Sequence, residues 1–256
     1  VLTINQRNSI ITSNNHVVIV SRNGFYHYAG NNKKAWEWLP LLEISKSRDK
    51  IRDVAFSAGS TVYLKSHHDR IYRYNSGKFS SLPFFEYQLS LFVDQQNNVW
   101  LHRSGELYKW QDPFFCPFLF EGISKISYIT EDNSGKLILI SESSILRKDG
   151  SKWEIIDETN ANIPGLDIMY YYSNRNKKIL ETKDGKYWLS IFNDKYPDSL
   201  YQSEDLYKWE YIDLTKIPPK GVHNLYTTPK GDLIVVENRG GPLFKYDGDQ
   251  WISLDA

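Results

Sequence analysis

His67-His68-Asp69 is the densest group of ligand-type residues in the chain. A metal site there would need further imidazoles from His102 or His223, because neighbouring residues of an extended strand point to opposite faces. The simpler reading is a polar loop ahead of Arg70, and no metal is expected. Arg22, Arg103 and Arg239 are three cations that could converge on an anionic group. Glu131-Asp132 and Asp157-Glu158 are carboxylate pairs of the kind used in acid–base catalysis, yet beside turns such residues are ordinarily solvated surface. Cys116 is the single cysteine. It excludes an intramolecular disulfide and a cysteine-based zinc cluster, and its apolar neighbours Phe114, Phe115 and Phe118 mark it as a buried small hydrophobe. The chain contains no G-x-S-x-G, no phosphate-binding glycine loop, no H-E-x-x-H and no C-x-x-C, which argues against familiar hydrolases, P-loop enzymes and zincins. Neither catalysis nor a cofactor is expected, although a site scattered over several elements would leave no short motif.

Whatever these residues do, strands must position them. Eight Trp, eighteen Tyr and twelve Phe make 15% of the 256 residues, and such side chains favour a pleated, half-buried surface. No sustained helical apolar stripe is present, and the apolar runs are too short to span a bilayer. Thirty-one basic and thirty-one acidic residues cancel, so nothing in the net charge suggests nucleic acid as a partner.

One short pattern recurs along the chain. Two apolar or aromatic residues lead through polar positions to a turn and a closing aromatic, in copies starting at Phe25, Ile71, Leu107, Ile145, Leu200 and Leu243. In five copies an Asn or Asp precedes the aromatic at a fixed distance: Asn32/Trp36, Asn75/Phe79, Asp149/Trp153, Asp205/Trp209 and Asp247/Trp251. Asn and Asp bond to nearby backbone amides and tolerate left-handed conformations, so they set tight turns. A second turn lies upstream in each unit, at Asn14-Asn15, Gly59-Ser60, Asn97-Asn98, Ser134-Gly135, Asp184-Gly185 and Lys230-Gly231, with apolar runs on both sides. Strand, turn, strand, loop, strand, turn, strand is thus written six times, at a period of about 40–45 residues that suits propeller blades. The expected fold is all-β: a single β-propeller of six four-stranded blades, at roughly 1–43, 44–84, 85–120, 121–160, 161–215 and 216–256. A β-sandwich or two smaller barrels is the alternative, but neither calls for an evenly repeated pattern; five or seven blades stay open because the 55-residue interval carries the insertion at 193–199. Val1–Asn5 is expected to pair with the last blade and close the ring.

These repeats resemble the propellers of bacterial two-component-regulator sensors. Ser203-Glu204-Asp205 with Trp209 also resembles a degenerate Asp-box, the hairpin turn of sialidase-like propellers. In that family the turn is structural, and the sialidase resemblance would imply an arginine cluster, a tyrosine nucleophile and an acid. Arg22, Arg103 and Arg239 match only the first of these.

The loops between second and third strands fall at one end of such a fold, together with those joining blades. They carry Arg22, Asn23, His67, His68, Arg103, Glu142, Asp194, Tyr196 and Arg239, with Lys46, Arg48 and His223 on the connectors. Asn193–Ser199 is read as a lengthened loop, and Tyr196 as an interface anchor. Mixed charge at this end suits a protein or a polar ligand. The leading expectation is a non-enzymatic bacterial recognition module for a partner protein, of inhibitor, immunity or sensor type. A carbohydrate-binding lectin and a sialidase-like enzyme are the alternatives. Periplasmic or secreted placement is favoured, and the Val1 start is compatible with a removed leader.

Overall fold

Apolar runs cut by Gly, Asn and Asp turns can satisfy their backbone only by pairing with their neighbours in the chain. The computed structural model describes residues 9–13, 16–21, 24–29, 37–40, 51–57, 61–66, 70–75, 78–85, 89–103, 105–111, 114–120, 123, 125–163, 177–193, 196–214, 222, 224–228, 230–237 and 242–254. Among these residues the strands form six four-stranded antiparallel sheets, each a meander of consecutive strands. The first sheet is β1 (Ser9–Ser13), β2 (His16–Ser21), β3 (Gly24–Ala29) and β4 (Glu37–Pro40). The second is β5 (Ile51–Ser57), β6 (Thr61–Ser66), β7 (Arg70–Asn75) and β8 (Lys78–Phe85). The third is β9 (Leu89–Val93), β10 (Val99–Arg103), β11 (Glu106–Gln111) and β12 (Phe114–Phe118). The fourth is β13 (Tyr128–Glu131), β14 (Leu137–Ile140), β15 (Ser144–Asp149) and β16 (Lys152–Asp157). The fifth is β17 (Lys177–Glu181), β18 (Tyr187–Asn193), β19 (Tyr196–Ser203) and β20 (Trp209–Ile212). The sixth is β21 (Asn224–Thr227), β22 (Leu233–Val236), β23 (Leu243–Tyr246) and β24 (Trp251–Ser253). No helix long and apolar enough to cross a membrane occurs among the described residues.

The chain divides into two compact units, Val1–Arg103 with Leu107–Leu119, and Ser104–Glu106 with Phe120–Ala256. Within the first unit the leading strands of successive sheets approach one another, β1 to β5 and β5 to β9. Its core gathers Tyr63, Ile71, Leu82, Leu91, Val99, Leu101 and Phe115. The second unit repeats the arrangement, with β13 against β17 and β17 against β21. Ile138, Ile145, Ile156, Ile179, Leu189 and Trp209 fill the space between its first two sheets. Trp188, Leu200, Leu225, Leu233 and Val235 fill the next.

The second strands are the most deeply buried. All four residues of β14 are buried, as are the first four of β10. A strand covered on both faces loses the in–out alternation of a half-solvated one, which explains the runs VWL, LILI and YWL. Each large side chain so buried contributes about 1.5–3 kcal/mol relative to exposure.

The first hairpin of a sheet follows one design in the last four copies. Asp94, Asp132, Thr182 and Thr228 each accept at the carbonyl from the residue three further on and donate from the backbone N–H to the carbonyl four further on. The residue that makes this possible is left-handed: Asn97 at φ 64°, Gly135 at 78°, Gly185 at 80° and Gly231 at 77°. This is the three-to-five-residue hairpin whose left-handed position favours Gly or Asn.

Two sequence expectations change here. The segment read as a lengthened loop prolongs a hairpin: Asn193 ends β18, Tyr196–Ser203 forms β19, and a bulge lies between Ile191 and Asn193. Backbone pairing is cheaper than leaving those amides in an open loop. Cys116 is half-buried on β12, because this outermost strand of its sheet leaves alternate residues partly uncovered. Val1–Asn5 and the 44–50 connector lie outside the described residues.

Candidate functional site

The β13–β14 and β17–β18 turns carry ionisable groups that sequence alone assigns to solvated surface. Asp132 is buried instead. Its Oδ1 accepts from the Ser134 amide at 3.0 Å, the Ser134 hydroxyl at 2.6 Å and the Lys136 amide at 2.8 Å. Its Oδ2 accepts from Arg147 Nη2 at 2.8 Å and Nε at 3.2 Å. Burial opposes ionisation, but these hydrogen bonds outweigh it and hold the carboxyl below its ordinary range. An anchor so fully engaged is no free acid or base. Asp94 does the same work in the first unit, accepting from the Asn98 amide at 2.6 Å and Trp100 Nε1 at 2.8 Å. Where Thr182 replaces the aspartate, its hydroxyl oxygen takes Trp188 Nε1 at 3.2 Å.

Within the second unit these turns also bind neighbouring sheets together. The Asn133 amide donates to Glu181 Oε2 at 2.6 Å, and its side-chain amide to the Thr182 carbonyl at 2.8 Å. The Lys183 amide donates to the Gly231 carbonyl at 2.9 Å. The Lys183 ammonium bonds Asp232, whose other oxygen meets Lys245 Nζ at 2.8 Å. The Lys183 bond, then the Lys245 bond, push the Asp232 carboxyl down to about 2. A shallow surface dip lies beside them, lined by Thr182, Lys183, Asp232, Tyr246 and Asp247. The chemistry of this end is cohesion.

The closing turns differ. Ser203 Oγ accepts from the Leu206 amide at 3.0 Å, and Asp205 Oδ1 from the amides of Tyr207 and Lys208 at 2.8 and 2.9 Å. Trp209 is buried there and donates to the Leu206 carbonyl at 2.7 Å. Trp153 stands edge-on to Phe120, and Trp251 to Trp188. Among the described residues the repeated Trp153, Trp209 and Trp251 therefore pack. Asp157 is half-buried and closes a turn by accepting from the Thr159 amide at 2.9 Å.

Of the residues expected to form a binding site, Arg103, Glu142 and Tyr196 are among the described ones. Arg103 closes β10 half-buried, and Tyr196 opens β19 opposite Asn193. Glu142 pairs with Lys125 at 3.0 Å, while its carbonyl accepts from Lys177 Nζ at 3.1 Å. Arg22, Asn23, Lys46, Arg48, His67, His68, Asp194, His223 and Arg239 lie outside the described residues. Among the described residues no three His, Cys, Asp or Glu gather around a metal-sized space.

A cluster that sequence reasoning missed stands on the leading strands of the second unit. Lys178 of β17 has its Nζ 4.8 Å from the ring centroid of Tyr226 on β21 and 5.9 Å from that of Tyr128 on β13. Burial lowers the lysine's proton affinity. Burial, then the nearby Tyr226, push the Tyr128 phenol up to about 12, against a hydrogen bond with Thr130. Tyr226 is half exposed, and its hydroxyl oxygen accepts from Asn224 Nδ2 at 2.6 Å. Tyr128 and Lys178 occupy matching places ahead of the Asp132 and Thr182 turns, a correspondence that aligning the repeats on those turns would have exposed.

No family model and no curated protein sequence matches the chain. Solved structures do resemble it. YCF48 bound to D1 peptide is similar at 16% identity and TM-score 0.59, over 94% of this chain and 79% of that one. PorZ, a surface component of the type-IX secretion system of Porphyromonas gingivalis, is similar at 12% identity and TM-score 0.62. The extracellular domain of the hybrid two-component system BT3049 from B. thetaiotaomicron matches at 11% and 0.51. Each of these two pairs covers 96% of this chain, which spans only 32% and 40% of the respective relative. At such identities the likeness shows the fold: an all-β chain of four-stranded antiparallel sheets with propeller-type neighbours.

Proposed function

We propose that the six sheets are the blades of one closed propeller and that the chain is a non-enzymatic recognition module for a partner protein, of inhibitor, immunity or sensor type. The observation that carries this reading is the β18–β19 hairpin, whose strands of seven and eight residues outrun the second and third strands of the other sheets. The hairpin is prolonged in a unit whose neighbouring sheets are tied by Asn133, Lys183 and Asp232, and binding residues concentrate on loops held by such scaffolds. YCF48 was solved with a peptide, and BT3049 contributes an extracellular two-component domain, in keeping with a protein-binding or sensing role. The surface would be built from Tyr196 and Arg103 with Arg22, Arg48, His67, His68, Asp194, His223 and Arg239. The Ser203–Trp209 turn would be the structural Asp-box of this chain.

The test is affinity capture from the native source with the intact chain and with Tyr196→Ala and Arg239→Glu. One partner retained by the intact chain and lost by both variants supports the reading. No retained partner, or one indifferent to both variants, refutes it.

A further inference from the structure

We propose that Lys178, held between Tyr128 and Tyr226 on the leading strands of the second unit, is the anchor for a carboxylate presented by a peptide segment of the partner. The inference rests on the partner-binding reading and names the chemistry of a second contact.

The leading strands β13, β17 and β21 each have a hydrogen-bonded neighbour on one side only, at the edge of their sheets. Tyr226 on β21 is 49% exposed, so the cluster is open to solvent on that side. Two other half-buried cations of this unit meet buried acids: Arg147 has Asp132 and Lys245 has Asp232. Lys178 has no acid partner among the described residues; the faces of two tyrosines are what it meets. A ring face attracts a cation without neutralising it, so among the described residues the half-buried ammonium meets no compensating charge. A carboxylate oxygen would supply what is lacking.

Tyr226 adds a donor. Asn224 donates to its hydroxyl oxygen, so the phenolic hydrogen points elsewhere and can bond a second ligand oxygen. One cation with one hydroxyl donor matches a singly charged carboxylate. A phosphate would call for arginine or several cations, and no arginine joins this cluster among the described residues. The carboxylate can come from an Asp or Glu side chain or from a chain terminus.

The experiment is fluorescence polarisation on the full chain with two labelled probe sets. One set is Asp/Glu-containing hexapeptides amidated at the C-terminus, and the other is uncharged hexapeptides with a free C-terminus. Lys178→Met, which keeps the apolar stem, and Tyr226→Phe are the variants. Binding of one set, weakened at least tenfold by Lys178→Met and several-fold by Tyr226→Phe, is expected, and the responding set identifies the source. Binding of neither set, or binding unchanged in Lys178→Met, overturns the inference. Amine labelling with acetic anhydride, read by mass spectrometry, serves if that variant fails to fold: bound peptide should protect Lys178 selectively, and equal labelling with and without peptide overturns the inference. Partner capture by Lys178→Met at full strength, with loss in Tyr196→Ala, would remove this anchor and leave the recognition reading standing.

Discussion

At the scale of single residues, burial decides which charged groups are structural. Asp132 is 1% exposed at its side chain and serves a turn, a strand and Arg147 together. Removing one partner of such a pair strands the other, so Asp132→Ala should cost about 3–5 kcal/mol, read as a lower urea midpoint at unchanged slope. Asp132 and Asp232 both have carboxyls depressed in the folded state. The folded form then binds protons less readily than the unfolded one, so their contribution is complete above the unfolded carboxylate range near ~4. It disappears as pH falls through the folded values, which for Asp232 means about 2. Urea midpoints measured from pH 5 down to pH 2 should therefore fall, and the fall should shrink in an Asp232→Asn variant.

Among the elements, the repeated hairpin makes a finer discrimination possible. Gly185 and Gly231 share the same left-handed position, at φ 80° and 77°. An added Cβ at Gly185 meets only the end of Glu181 at 3.9 Å, whereas at Gly231 it meets Lys183 Cβ at 2.8 Å and its backbone N at 3.1 Å. Gly185→Ala should cost about 1–2 kcal/mol for the conformation alone. Gly231→Ala should cost more, because two sheets of the second unit must separate there; thermal unfolding of the pair checks the order. The connector after β16 is tied down as well. Asn162 Oδ1 accepts from the Trp209 amide at 2.7 Å, and the Asn162 amide donates to the Tyr207 carbonyl at 3.0 Å. Asn162→Ala leaves the Trp209 amide without that acceptor, at about 1–3 kcal/mol, and should speed hydrogen exchange at Trp209.

For the whole molecule, the proposed closed ring has a thermodynamic consequence. If the two compact units belong to the one proposed ring, they should unfold together. Calorimetry is then expected to give one transition with equal calorimetric and van't Hoff enthalpies. Two separated transitions would mean two independent domains and would remove the ring.

The sequence by itself determined the strand order. Turn chemistry at Asn97, Gly135, Gly185 and Gly231 and the apolar runs between turns are local, so the six meanders, the deep burial of Trp100 and Trp188 and the packing role of Trp209 could be read in advance. Only tertiary structure decided which polar groups meet. Asp132 looks like any acid beside a turn until Arg147 folds back across its sheet. Lys178 looks like any strand lysine until two other strands bring Tyr128 and Tyr226 to it. The prolonged β18–β19 hairpin likewise depended on cross-strand pairing, which residues 193–199 alone do not reveal. Local turn preferences are written residue by residue, whereas desolvation of a charge is set by neighbours that may be forty residues or more away in the chain.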